Sequence, residues 1–208
     1  MRTFSVPTRP YGDERLYLRK DVTFNTGLTV LTGCNGSGKS TLLRLIKDKI
    51  RKMYYNDILC LKYDDRKDGG SHMMESMLFH DDLSGLVNVA FASEGERIMS
   101  GFGNFVSSLG YKVSQTEAKE VWILVDAVGS GLSIDGILEI KDFANFIQEE
   151  NPRKNIYFVV STNEYEFASG SDCIDVTTFK HMTFNDYEVY KSYILETKKK
   201  KNKRRSKT

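Results

Sequence analysis

Apolar positions along this chain repeat with two different periods. Short runs in which they are continuous or alternate predict strands at residues 3–6, 15–18, 22–24, 28–32, 58–63, 121–125, 156–161, 173–176 and 181–184. Elsewhere the spacing is helical. After Lys39, the residues Leu42, Leu45, Ile46, Ile50 and Met53 form one stripe. Further helices are expected from Ser93 towards Leu109, from Ser133 to Glu149 before Asn151-Pro152, and after Asn185, where Glu188 completes a capping-box pattern. Residues 71–92 read as a weakly patterned helix. Strands alternating with helices predict an α/β fold, a mostly parallel sheet flanked by helices, with an antiparallel β edge from the N-terminal strands.

Composition narrows the class. The chain has 208 residues, 28% charged and 40% hydrophobic, which suits one domain. Its longest apolar runs, at 121–125 and 156–160, are far short of the roughly 20 residues that cross a bilayer, so no membrane insertion is expected. The first ten residues lack an apolar core, so no secretory signal is expected either. Cys34, Cys60 and Cys173 stand at unrelated spacings, neither a disulfide framework nor a metal cluster, and a cytoplasmic home follows most simply. His72, His80 and His181 have no ligand-spaced partners, and Met73, Met74 and Met77 read as core filler.

The net charge of +2 hides an asymmetry. Residues 198–208 hold eight Lys/Arg and no acid; removing those eight from 30 leaves 22 basic against 28 acidic residues in 1–197. An acidic domain over 1–197 with a basic, disordered tail over 198–208 is therefore expected. The tail is either a solvated extension or a contact for nucleic acid or an acidic partner. It carries no aromatic residue on which a base could stack.

One segment carries defined chemistry. Gly33-Cys34-Asn35-Gly36-Ser37-Gly38-Lys39-Ser40 fits G-x-x-x-x-G-K-[ST], between an apolar strand and an amphipathic helix. Glycines let backbone N–H groups turn in around a phosphate at the positive end of the helix. Lys39 would reach the β- and γ-phosphates, and the Ser40 hydroxyl would take a place on Mg²⁺. ATP with Mg²⁺ is the expected ligand, and Thr41 belongs to the same binding segment.

The longer string from Gly27 to Thr41 resembles the ABC-type P-loop ATPases, in particular the soluble SMC/Rad50/RecF branch. Three later segments extend the likeness in the family's order, so that it covers roughly residues 20–165. Ala92-Ser93-Glu94-Gly95-Glu96-Arg97 resembles the soluble form of the signature motif. In that family Ser93, Gly95 and Glu96 would act in trans, closing on the terminal phosphate held by a second copy. Ser93 and Glu96 read equally as a plain capping box. Val121-Trp122-Ile123-Leu124-Val125-Asp126 resembles the Walker B strand, which implies that Asp126 holds Mg²⁺. Gly129-Ser130-Gly131-Leu132-Ser133 resembles the D-loop, with Ser130 crossing the dimer interface and Asp135 substituting for the usual acid at Ser133.

The chain also departs from that family. Where the resemblance implies a catalytic Glu after the Walker B Asp, the residue is Ala127, which can neither accept a proton nor align water. The switch segment ends in Asn163 where His is usual; Asn163 can hydrogen-bond a phosphate oxygen without carrying charge, and a helix cap at Thr162 or Asn163 is the alternative reading. No Q-loop glutamine is present, with Asp64 and Asp65 at its place. Tyr11 and Tyr17 are the candidates to stack on adenine. With 87 residues from Lys39 to Asp126, no long coiled-coil insertion fits.

The resemblance implies an ABC-ATPase-like core that works as an ATP-dependent homodimerising switch or clamp acting on an effector protein or nucleic acid; Ala127 makes it slow in hydrolysis unless another residue or a partner supplies the missing group, or the Glu was replaced to trap ATP. A DNA-maintenance ATPase is the alternative. A transporter's nucleotide-binding subunit fits less well, because the signature lacks the Gly-Gly-Gln form. Lys39→Ala is expected to abolish ATP binding, as measured by titration calorimetry.

Overall fold

The computed structural model describes residues 1–12, 14–53, 57–64, 94–126 and 132–205. Strands β3 (Gly27–Thr32), β4 (Ile58–Asp64), β5 (Glu120–Asp126), β6 (Asn155–Ser161), β7 (Asp172–Asp175) and β8 (His181–Met182) form one sheet in the order β4-β5-β6-β3-β7-β8. The first five run parallel and β8 is antiparallel to β7. The strands β1 (Arg2–Ser5) and β2 (Asp21–Phe24) pair antiparallel as a ribbon of their own. The helices are α1 (Lys39–Lys52), α2 (Glu94–Gln115), α3 (Ile134–Glu150), the single turn α4 (Tyr165–Ala168) and α5 (Tyr187–Arg205). The helix expected over 71–92 lies outside the described residues.

The central strands are apolar throughout because both faces are covered. Val121, Ile123, Val125, Ile156, Phe158 and Val160 point to one side, where they meet Ile137, Ile140, Ala144 and Ile147 of α3 and Leu109 and Val113 of α2. Their sequence neighbours Trp122, Leu124, Tyr157 and Val159 point to the other side, against Leu42, Leu43, Ile46 and Ile50 of α1. The β1–β2 ribbon closes that second face through Phe4 and Phe24, which stand edge-on to Trp122 at 5.1 and 5.5 Å, while Tyr157 stacks on the same indole at 4.2 Å.

The register aligns the carboxyl ends of the strands. Asp64 of β4 lies opposite Asp126 of β5, Asp126 opposite Ser161 of β6, Ser161 opposite Leu31 of β3, and Thr32 opposite Asp175 of β7. The described segments after β3, β6 and β7 leave from this edge, where open α/β folds hold their ligands.

Three sequence expectations change. Residues 15–18 are not a strand: Leu16 and Tyr17 both donate their N–H to Thr8 O, Leu18 donates to Thr177 O, and the Arg15 side chain holds the carbonyls of Tyr17 and Leu18. The alternating pattern there serves to bury Tyr17, not to build a ladder. At the start of α5 the cap is Asp186, whose carboxylate accepts the Val189 N–H at 3.0 Å, while Glu188 pairs with Lys191.

The basic segment, expected as a disordered tail, continues α5 to Arg205. Lysine and arginine are good helix formers. The costly helix nucleus is supplied upstream, where Tyr190 and Tyr193 pack on Phe184. A Glu196–Lys200 pair at 2.7 Å bridges the next turn.

Trp122 is the chain's single tryptophan and is fully buried, with its N–H donated to Glu120 at 2.7 Å. Trp122→Ala removes the centre of the second face and is expected to cost about 3–5 kcal/mol, measured by urea unfolding followed by circular dichroism.

Candidate nucleotide-binding site

Strand β3 runs into a loop whose glycines adopt backbone angles that side chains disfavour. Gly33, Gly36 and Gly38 have φ of 141°, 70° and 104°. They also make room: a Cβ on Gly33 would stand 2.8 Å from Ser37 Oγ, and one on Gly38 would press on the Tyr17 ring at 3.0 Å. Tyr17 lies wholly buried there, and its hydroxyl donates to Gly38 O at 2.9 Å. Tyr17 is therefore a prop beneath the loop, which removes it as an adenine platform.

α1 begins at Lys39 with no side-chain cap and no acidic residue in its first turn. Its leading N–H groups and the positive end of the helix dipole thus face a site suited to an anion. Ser37 Oγ, in a residue only 6% exposed, has no hydrogen-bond partner among the described residues. A buried hydroxyl left unpaired is costly, and a phosphate oxygen in the loop is the type of partner that relieves it.

Lys39 is 9% exposed and donates to Gly33 O at 2.6 Å and Asn163 Oδ1 at 2.7 Å. Burial lowers its pKa from 10.5 to about 8, against the opposing pull of Cys34 and Asp126 and with a further lowering by Lys201. Asn163 uses its amide nitrogen on Asn35 Oδ1, and its carbonyl accepts the Tyr190 hydroxyl at 2.8 Å. It does not cap α4; the local turn is made instead by Thr162, whose hydroxyl accepts the Glu164 N–H. Asn163 thus reaches the loop from the end of β6.

Beside this cluster Ser40 Oγ donates to Asp126 Oδ1 at 2.9 Å. Asp126 is 5% exposed, and its second oxygen stands 3.6 Å from Lys62 Nζ of β4. A hydroxyl and a carboxylate side by side are hard oxygen donors of the kind Mg²⁺ takes. Tyr11 is exposed at the start of α1, with its hydroxyl 3.0 Å from Thr41 Oγ1 and the Arg44 guanidinium over its ring.

Other expected residues fare differently. Gly95 and Glu96 fall in the first turn of α2, whereas Ser93, Ala127 and Ser130 lie outside the described residues, as does Asp65. Asp135 stands in the first turn of α3, where its bond with Ser133 and helix-start N–H groups hold its carboxyl below the usual range.

Sequence reasoning missed Lys62, Tyr190 and Lys201. The last, on α5, donates to Asn35 O at 2.7 Å. None belongs to a motif, and each reaches the site through strand register or helix docking. Lys62 carried one faint signal, a charge in an otherwise apolar strand.

The comparisons agree with this picture at the level of fold. Residues 9–50 match the family model of the AAA domain, a span that takes in Tyr11, the loop and most of α1. No curated protein matches the chain. Stu0660 of Streptococcus thermophilus is similar in structure, with a TM-score of 0.51 at 10% identity over 91% of this chain and 78% of that one. The cytoplasmic domain of the Thermomonospora curvata Type VII secretion ATPase EccC matches with a TM-score of 0.36 at 15% identity, over 66% of this chain; the match takes in only 16% of the EccC chain. The sheet, the loop and the AAA-domain match over residues 9–50 are those of a P-loop NTPase α/β fold. Among the described residues no helix is long and apolar enough to cross a membrane.

The pKa of Lys39 sets a pH dependence. Below about pH 8 the lysine is charged in free and bound protein alike. Above that value the free form is neutral, whereas a bound phosphate favours the charged form, so binding must take up a proton. Nucleotide affinity is expected to fall as pH rises above about 8, with proton uptake seen by calorimetry in buffers of different ionisation heat.

Proposed function

We propose that this chain is an ATP-binding domain of the ABC type, of the soluble SMC/Rad50/RecF-like branch. In the cytoplasm it acts as an ATP-dependent homodimerising switch or clamp with slow or impaired hydrolysis. One observation carries the reading: Lys39 meets Asn163 on the loop while Ser40 meets Asp126 beside it. Phosphate-type and metal-type donors from the ends of β3, β5 and β6 thereby converge on one point.

In this reading the backbone N–H groups of residues 36–41 and the Lys39 ammonium hold the polyphosphate, with Gly33, Asn35, Ser37 and Gly38 shaping the cradle. Ser40 and Asp126 would hold Mg²⁺, which when bound neutralises charge on the phosphates. Tyr11 offers its exposed ring to the base. Asn163 senses the terminal phosphate by hydrogen bonding alone.

Closure would bring Ser93, Gly95 and Glu96 of a second copy onto that phosphate, with Ser130 at the interface. ATP bound only by the closed pair stabilises it by mass action. Ala127 supplies no carboxylate to orient water, so the closed state would be long-lived. An effector protein would read the open and closed forms. A DNA-maintenance ATPase is the second reading, favoured by the basic end of α5 lying against the loop. ATP turnover that rises on adding duplex DNA would favour it.

Light scattering with Mg²⁺-ATP tests the switch. The expected result is a mass doubling that persists for hours, and a Ser93→Arg variant that binds ATP yet stays monomeric. A wild-type chain that remains monomeric with ATP bound, or a Ser93→Arg chain that dimerises normally, overturns the reading.

A further inference from the structure

The basic end of α5 is part of the site and not an appendage beside it. The helix touches the site twice. Near its start the Tyr190 hydroxyl holds Asn163 O, and eleven residues later Lys201 Nζ holds Asn35 O at 2.7 Å. At 1.5 Å per residue Tyr190 and Lys201 start from points about 16 Å apart along the helix. Asn35 is where they converge, its side chain bonded to Asn163 and its carbonyl to Lys201.

Gly36 admits the lysine. A Cβ there would stand 2.5 Å from Lys201 Nζ, so a side chain at that position would make the ammonium shift aside. Arg204 and Arg15 line the same cleft, together with the acid Glu14 and with Gly36, Ser37 and Thr177. A second ammonium therefore stands on the loop near Lys39, and the described part of the cleft has the orphaned Ser37 Oγ at its wall. The acceptor that Lys201 now uses is a neutral carbonyl. A charged phosphate oxygen attracts an ammonium more strongly than a neutral carbonyl does, and a flexible lysine stem can shift to reach it.

We propose that Lys201 is a second phosphate-binding cation of this site, supplied by the same chain's C-terminal helix, and that it favours nucleoside triphosphates over diphosphates. This rests on the nucleotide reading above. Asn35 is the loop residue that Asn163 contacts, and Asn163 is the residue assigned to the terminal phosphate. Lys201 therefore serves the end of the polyphosphate that a diphosphate lacks. Its move from Asn35 to phosphate also ties the position of the basic run 198–205 to nucleotide occupancy.

The test compares wild type, Lys201→Ala and Lys201→Arg for Mg²⁺-ATP, Mg²⁺-ADP and Mg²⁺-tripolyphosphate binding by calorimetry, with circular dichroism confirming the fold. Lys201→Ala is expected to weaken ATP and tripolyphosphate about tenfold while changing ADP less than twofold, and Lys201→Arg to restore most of the loss. Equal losses for ATP and ADP would show a mere prop of the loop, and tighter ATP binding would show an obstructing lid; either overturns the proposal. Unchanged ATP affinity in Lys201→Ala overturns it while leaving the nucleotide reading intact. A wild-type chain that binds none of the three ligands overturns both.

Discussion

Folding this chain takes an ammonium out of water, and the arrangement of the loop follows from how that cost is met. Lys39 is the first residue of α1, and the buried stripe of Leu42, Leu43, Ile46 and Ile50 fixes the helix against the sheet. The lysine cannot leave without unpacking that face. Its short hydrogen bonds go to neutral oxygens, Gly33 O and Asn163 Oδ1, which solvate the charge without cancelling it. Its lowered pKa is the signature of that incomplete compensation. A polyanion bound at the loop would complete it.

The sheet converts this local feature into a site. Since β6 lies between β3 and β5, the ends of three strands meet at one edge, and residues distant in sequence arrive together. Ser40 and Asp126 bond directly although 86 positions separate them, and Asn163 reaches Lys39 across 124. Lys62, from the neighbouring strand, stands on the second oxygen of Asp126. The carboxylate is thus already paired with a cation, which a divalent ion would have to displace or accommodate.

Packing on the other side of the loop is equally tied to it. Tyr17 fills the space beneath Gly38 and also packs on Phe179, so the segment preceding β2, the loop after β7 and the P-loop form one block. His181 joins the ribbon to the sheet by bonding Asp172 and Thr23 O. α5 joins the switch position to the loop from outside.

Much of this was legible without coordinates, for a physical reason. The run Gly33–Ser40 is contiguous, and the phosphate-loop pattern it fits has residue types at fixed spacing. Strands β3, β5 and β6 announce themselves because burial on both faces requires continuous apolar residues, and Asp126 stands out because it ends such a run. The segment 15–18 was misread because a side chain buried under a loop yields the same alternation as a strand; only the bonds to Thr8 and Thr177 distinguish them. The basic run was misread because composition describes a segment in isolation, whereas its helix is propagated from a nucleus that Tyr190 and Tyr193 anchor on the core. The amino-acid sequence by itself determined the loop, the strands and the chemical types of the donors. Tertiary structure alone decided that Lys62, Tyr190 and Lys201 stand among them, because strand register and helix docking are long-range properties that no local spacing encodes.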